Sequence, residues 1–244
     1  MLGYATYSEG FRSGGFAQRI FPPLPVAPDF DPEFIDSYEI GFKYKNDFLT
    51  FNGSAFYTDY SDIQVLTEVE GFVGEFEDNV GDAEIKGLEL EALINPATGL
   101  YLELSYGYTD AEYTDINVLP PLTATVELTD SFDRVPEHSF AGSITKEFNL
   151  GNGSDIIARV DTTYWSEYAN DADNSPEIFT PDTFLANASV RYIPDGEGYS
   201  LTLGVKNLTD DEYLQSGYLA DAIGNGEAIF DRGRQFYGTA RINF

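Results

Sequence analysis

Leu100-Tyr101-Leu102-Glu103-Leu104-Ser105-Tyr106-Gly107-Tyr108 is the stretch that decides the fold. Successive side chains of an extended chain point to opposite faces. Leu100, Leu102, Leu104, Tyr106 and Tyr108 therefore share one face, and Tyr101, Glu103, Ser105 and Gly107 share the other. That period of two marks a strand with one apolar and one polar side. Ser200 to Lys206 repeats it, with Leu201, Leu203 and Val205 against Ser200, Thr202, Gly204 and Lys206. Lys86 to Ile94 and Ile156 to Tyr164 alternate in the same way. No long window carries a helical period.

Extending this reading predicts ten strands, at 2–11, 37–46, 48–59, 83–95, 100–113, 138–149, 154–166, 184–194, 199–206 and 234–244. The inward and outward phase of 2–11 stays open. The connections alternate in length. Short ones at Asn46-Asp47, Pro96–Gly99, Leu150–Gly153 and Asp195–Gly198 carry turn-forming residues. Long ones span 12–36, 60–82, 114–137, 167–183 and 207–233. Compact soluble domains seldom hold several connections above ~12–15 residues. A membrane β-barrel does, with tight turns on one rim and long loops on the other. The expected fold is all-β: part of an antiparallel up-and-down transmembrane barrel, with short periplasmic turns and long extracellular loops. A secreted β-sandwich adhesin is the competing architecture, since it also alternates.

Composition narrows the functional classes. The chain has 244 residues, 13 Lys plus Arg and 42 Asp plus Glu, for a net charge of −29. Phosphate binding needs a basic surface, so nucleic acid is excluded as a partner. Hydrophobic residues make up 42% and aromatics 15%, which argues against disorder. No run approaches the ~18 apolar residues of a membrane helix, but a membrane strand needs only ~9–11 residues, alternately apolar. Cysteine is absent, which excludes disulfides, thiolate metal sites and a cysteine nucleophile. Met1-Leu-Gly-Tyr-Ala-Thr-Tyr7 has no secretory leader pattern. The chain thus reads as one whose leader was removed, or as a piece of a longer protein.

Five segments, in order, resemble TonB-dependent outer-membrane receptors. They are Tyr4–Phe16; Ser37–Lys45 with Phe56–Val65; Asn79-Val-Gly-Asp-Ala-Glu-Ile-Lys-Gly-Leu-Glu-Leu-Glu91; Arg134-Val-Pro-Glu-His-Ser139; and Asn207-Leu-Thr-Asp-Asp-Glu-Tyr213 with Arg232-Gly-Arg and Phe244. The resemblance covers essentially the whole chain. It implies that residues 1–244 are the C-terminal portion of such a barrel, with the plug domain and the N-terminal strands absent. It implies TonB-energised uptake across the outer membrane of a Gram-negative bacterium, with a ferric siderophore as ligand. Oligosaccharide or cobalamin uptake is the near alternative, and a passive porin-like barrel the distant one. Expected partners are outer-membrane lipid, the TonB complex through the plug region, the outer-membrane assembly machinery and the small-molecule ligand. No cofactor, catalytic residue or metal site is expected, and no nucleophile–base pair, P-loop or dinucleotide fingerprint supports an enzyme.

Ligand contacts are expected from long loops and the rim of the lumen: Arg12, Arg19, Phe21, Trp165, Tyr168, Tyr213, Tyr218, Arg232 and Arg234. Arg grips carboxylate, catecholate or phosphate groups, and aromatic rings stack on planar ligands. Arg232 and Arg234 also have a purely structural reading. Phe236, Ile242 and Phe244 share one face of the final strand and read as an assembly signal, since an amphipathic edge can add to another sheet. Tyr38, Tyr44, Tyr57, Tyr106, Tyr108, Tyr164 and Tyr192 are candidates for the aromatic girdles. Asp171, Asp173, Asp210, Asp211 and Glu212 read as solvated loop acids, because no EF-hand spacing appears. His138 is the only histidine and reads as a rim residue. The sequons at Asn52, Asn152, Asn187 and Asn207 read as coincidence, three of them falling in predicted strands or a tight turn.

Overall fold

A computed structural model describes residues 1–16, 29–69, 75–118, 122–220 and 225–243. Arg19, Phe21, Phe244 and the side chain of Tyr218 lie outside the described part. Ten long strands form one antiparallel sheet: β1 (Leu2–Arg12), β4 (Glu33–Lys45), β5 (Leu49–Val69), β6 (Glu75–Ala97), β7 (Leu100–Ile116), β9 (His138–Asn149), β10 (Asp155–Trp165), β11 (Thr183–Ile193), β12 (Tyr199–Lys206) and β15 (Gln235–Ile242). Each pairs with the next in that order. Among the described residues β1 and β15 do not pair with each other, so this sheet is an open portion of a barrel wall. Five short strands decorate one rim: β2 (Gly15–Phe16) pairs β3 (Asp29–Phe30), β8 (Leu122–Ala124) pairs β5, and β13 (Leu214–Ala220) pairs β14 (Asn225–Phe230).

The short turns are set by local chemistry. The Asn46 side chain accepts from the amides of Phe48 and Leu49 at 2.9 and 2.6 Å, an Asx turn that reverses the chain without bulk. Gly99, Gly151, Gly153 and Gly196 hold the positive φ that the other tight turns demand.

The expected long loops are shorter than they read. The loop at 60–82 is largely strand: β5 continues to Val69 and β6 starts at Glu75. Asp62 has φ 55, and the β5–β6 register slips between Tyr60 and Ile63. A bulge there adds a residue and inverts the phase, which is why the period-two signal stops at Asp59. The spans 12–36, 114–137 and 207–233 likewise contain β2–β3, β8 and β13–β14, and a single 3-10 turn at Pro176–Ile178 lies within 167–183.

Register settles the phase of β1. Tyr7 lies opposite Tyr38, whose ring is 5.0 Å away, and Tyr4 lies opposite Gly41. Tyr7 therefore joins the apolar face and Tyr4 the polar one. Across the sheet the apolar face stays in step: Ala5, Ile40, Ala55, Leu88 and Tyr108 form one row. Large apolar side chains on this face are exposed, including Ile40 at 65% and Leu203 at 72%. Among the described residues no second sheet packs over it. A β-sandwich buries such a face in a dry core, so that architecture does not apply.

Candidate functional site

The polar face carries a ladder of side chains across β7, β9, β10 and β11. Glu103 accepts from Ser143 at 2.7 Å and from Arg159 at 3.2 Å. Arg159 also donates to Thr145 and lies 3.6 Å from Asp161. Asp161 accepts from Asn187 at 2.7 Å, and Asn187 accepts from the Asn207 amide at 2.9 Å. These groups alternate with outward apolar residues on the same strands, so the face can sit against water or protein but not lipid.

Towards the long-loop rim this face opens into a concavity of about 610 Å³. Its floor comes from inward positions, among them Glu89, Glu91, Ser105 and Thr163, and Trp165 stands at the end of β10. Loops supply Arg134, Tyr168 and Tyr213, and the start of β13 supplies Gln215. Tyr168 is held by two backbone hydrogen bonds with Thr180, both 3.0 Å. The Thr180 hydroxyl donates to the Leu214 carbonyl at 2.8 Å, tying this loop to the one bearing Tyr213. Tyr213 meets Trp165 edge-on, with centroids 5.2 Å apart, and donates its hydroxyl to Asp231 at 2.9 Å. Burial first, and then the Asp231 carboxylate, push its phenol up to about 12. Arg134 has φ 59, and its amide donates to Ala169 at 2.8 Å. Rings, an arginine and two carboxylates thus surround one space, a mixture suited to a planar, polar ligand.

Of the residues expected from sequence, Trp165, Tyr168 and Tyr213 come together here. Arg12 does not line this space; it pairs with Glu77 at 2.8 Å, at the end of β1. The Arg234 guanidinium donates to the Leu208 carbonyl at 2.8 Å, and its amide donates to Asp210 at 2.7 Å. Arg232 is exposed, and its carbonyl accepts from Asn207. Phe236 and Ile242 lie on the outward face, opposite Val205 and Tyr199. Arg134, Gln215, Glu89 and Glu91 were not among the expected contacts. The signal for the two glutamates was their inward phase; Arg134 stands just before the Pro136 that returns the chain to β9. Among the described residues no group of three or more His, Asp or Glu is placed to hold a metal ion.

A sheet with an apolar exterior, a polar interior and a tall rim opposite tight turns defines a portion of a membrane β-barrel wall. The family described as "TonB dependent receptor-like, beta-barrel" matches residues 1–208, and the chain belongs to it. The pesticin receptor of Yersinia enterocolitica is 26% identical over 250 residues, covering 99% of this chain and 33% of the receptor. The ferric yersiniabactin uptake receptor FyuA from Yersinia pestis superimposes with a TM-score of 0.79 at 22% identity, covering 99% of this chain and 35% of its own. BauA, the ferric preacinetobactin receptor from Acinetobacter baumannii, gives 0.70 at 18% identity, covering 98% and 33%. At those identities the structures establish the fold. The chain spans about a third of the length of the curated relatives it matches.

Proposed function

We propose that this chain is the C-terminal part of the barrel of an outer-membrane receptor that imports a ferric siderophore with energy from TonB. The supporting observation is the concavity at the long-loop rim, where Arg134 faces Trp165, Tyr168 and Tyr213. Siderophore complexes present planar, oxygen-rich groups, and an arginine among rings suits them. FyuA is a receptor for ferric yersiniabactin and BauA one for ferric preacinetobactin, both ferric complexes. Outer-membrane lipid surrounds the apolar face. The TonB complex acts through a plug region, and the assembly machinery reads the last strand through Phe236, Ile242 and Phe244. Arg12, Arg19, Phe21, Tyr218, Arg232 and Arg234 remain further proposed ligand contacts.

The test is uptake of radiolabelled ferric yersiniabactin and a ferric catecholate by cells carrying the full receptor, with Trp165→Ala and Arg134→Ala compared. Saturable, TonB-requiring uptake of either complex, weakened about tenfold or more by the variants, is expected. Uptake of cobalamin or an oligosaccharide instead, or uptake indifferent to both substitutions, contradicts the proposal.

A further inference from the structure

Among the described residues that line the rim concavity, Arg134 is the only cation. Its guanidinium takes part in no ion pair there, whereas Arg12, Lys86, Arg159 and Arg234 each stand against a carboxylate. The backbone that carries Arg134 is left-handed, with φ 59. A residue other than glycine holds that conformation at a cost, and only where its surroundings determine it.

Three contacts determine it. The Arg134 amide donates to the carbonyl of the fully buried Ala169 at 2.8 Å. The Phe132 ring stacks on Tyr113 of β7, with centroids 4.4 Å apart and planes within 15°. Ser131 is gripped by the side chain of Asn174, whose Oδ1 accepts from the Ser131 amide at 2.8 Å and whose Nδ2 donates to the Ser131 carbonyl at 2.9 Å. The Asn174 amide thus stands in for the peptide group of a neighbouring strand. Asn174 is itself anchored: Nδ2 also donates to the Ala172 carbonyl at 3.1 Å, and its φ of 51 is one that asparagine tolerates. One loop, 167–183, therefore holds the segment 131–134 at two points, through a main-chain carbonyl and through one side chain.

We infer that Asn174 is the positioning residue of the ligand-binding arginine: its double grip on Ser131 fixes the left-handed turn that delivers the Arg134 guanidinium into the concavity. A guanidinium fork bonds planar oxygen groups bidentately only in a set orientation. Holding its backbone in place before the ligand arrives lowers the ordering cost of binding. Asn174 does not line the concavity, so it acts through Arg134 and not by touching the ligand. The role rests on the reading of this concavity as the site for a ferric complex.

The experiment measures equilibrium binding of radiolabelled ferric yersiniabactin and a ferric catecholate to the full receptor in detergent. Asn174→Ala should weaken binding of the complex that the receptor takes by about three- to tenfold, the scale of one or two lost hydrogen bonds. Asn174→Gly keeps the left-handed turn but loses the amide, and should match the alanine variant. In a receptor already carrying Arg134→Ala, Asn174→Ala should cost less than about twofold more. Amide hydrogen exchange checks the same point without ligand: the Arg134 N–H should exchange about fivefold or more faster in Asn174→Ala than in the parent. Unchanged exchange at Arg134, recovery of binding with glycine, or an equal loss with and without Arg134 overturns the role of Asn174 and leaves the site standing. Binding indifferent to Arg134→Ala, or no binding of either complex, contradicts the reading of the concavity and takes the positioning role with it.

Discussion

Trp165, at the end of β10, meets Tyr213, in the loop after β12, edge to face with ring centroids 5.2 Å apart. The pair joins the barrel wall to the segment that covers it. Trp165 is the only tryptophan of the chain, so its indole reports on that junction.

The Tyr213 phenol is pushed up to about 12, first by burial and then by its bond to Asp231. Only the protonated phenol can donate to the carboxylate. The folded value lies above the usual ~10, so this contact contributes fully below pH ~10 and is lost as pH rises through about 12. In the full receptor with any other tryptophans replaced, the Trp165 fluorescence should stay level to pH ~10 and then change with an apparent midpoint above it. Tyr213→Phe should remove the transition. A midpoint at the usual phenol value contradicts the buried hydrogen bond.

Arg234 fastens the turn that follows β12 by gripping the Leu208 carbonyl and Asp210. Arg234→Ala should destabilise the receptor in urea by about 1–3 kcal/mol. Arg234→Lys should restore less than half, since an ammonium cannot reproduce the planar fork. Full recovery with lysine would show that charge alone suffices.

On the polar face the Tyr4 ring lies against Gly41 and the Tyr237 ring against Gly204. A methyl at either glycine collides with ring atoms. Gly41→Ala should cost about 1–3 kcal/mol. In a double-mutant cycle with Tyr4→Ala the two losses should fall short of additivity by at least ~0.5 kcal/mol. Additive losses would mean that the ring does not occupy the space over Gly41.

The outer edges of β1 and β15 have no partner among the described residues. Unpaired backbone groups in hydrocarbon cost several kcal/mol each. The 244 residues expressed alone should give no heat-modifiable, protease-resistant monomer in the outer-membrane fraction. Such a band on a denaturing gel would mean that the sheet closes on itself.

All ten long strands were legible in sequence, because alternation such as Leu102-Glu103-Leu104-Ser105 survives wherever lipid and water face one strand. Legibility ended where the phase broke. The bulge at Asp62 hid the upper half of β5, and the irregular start of β13 at Leu214 hid the β13–β14 hairpin. Trp165, Tyr168 and Tyr213 stood out as aromatics next to loops. Arg134 did not, because its place in the concavity depends on a left-handed backbone turn and a bond to Ala169 from a different loop. The sequence left a structural role open for Arg234 but hid its partner, the Leu208 carbonyl, which lies 26 residues away in the chain.

Everything above depends on which face of the sheet meets lipid. The chain lacks cysteine, so single cysteines report cleanly once other thiols of the receptor are removed. Spin labels placed one at a time from Leu100 to Tyr108, in receptor reconstituted into bilayers, should alternate. Labels at Leu102 and Leu104 should respond to oxygen dissolved in lipid, and labels at Glu103 and Ser105 to a water-soluble nickel chelate. Uniform access to the nickel chelate along the strand, or alternation of the opposite sign, contradicts the account.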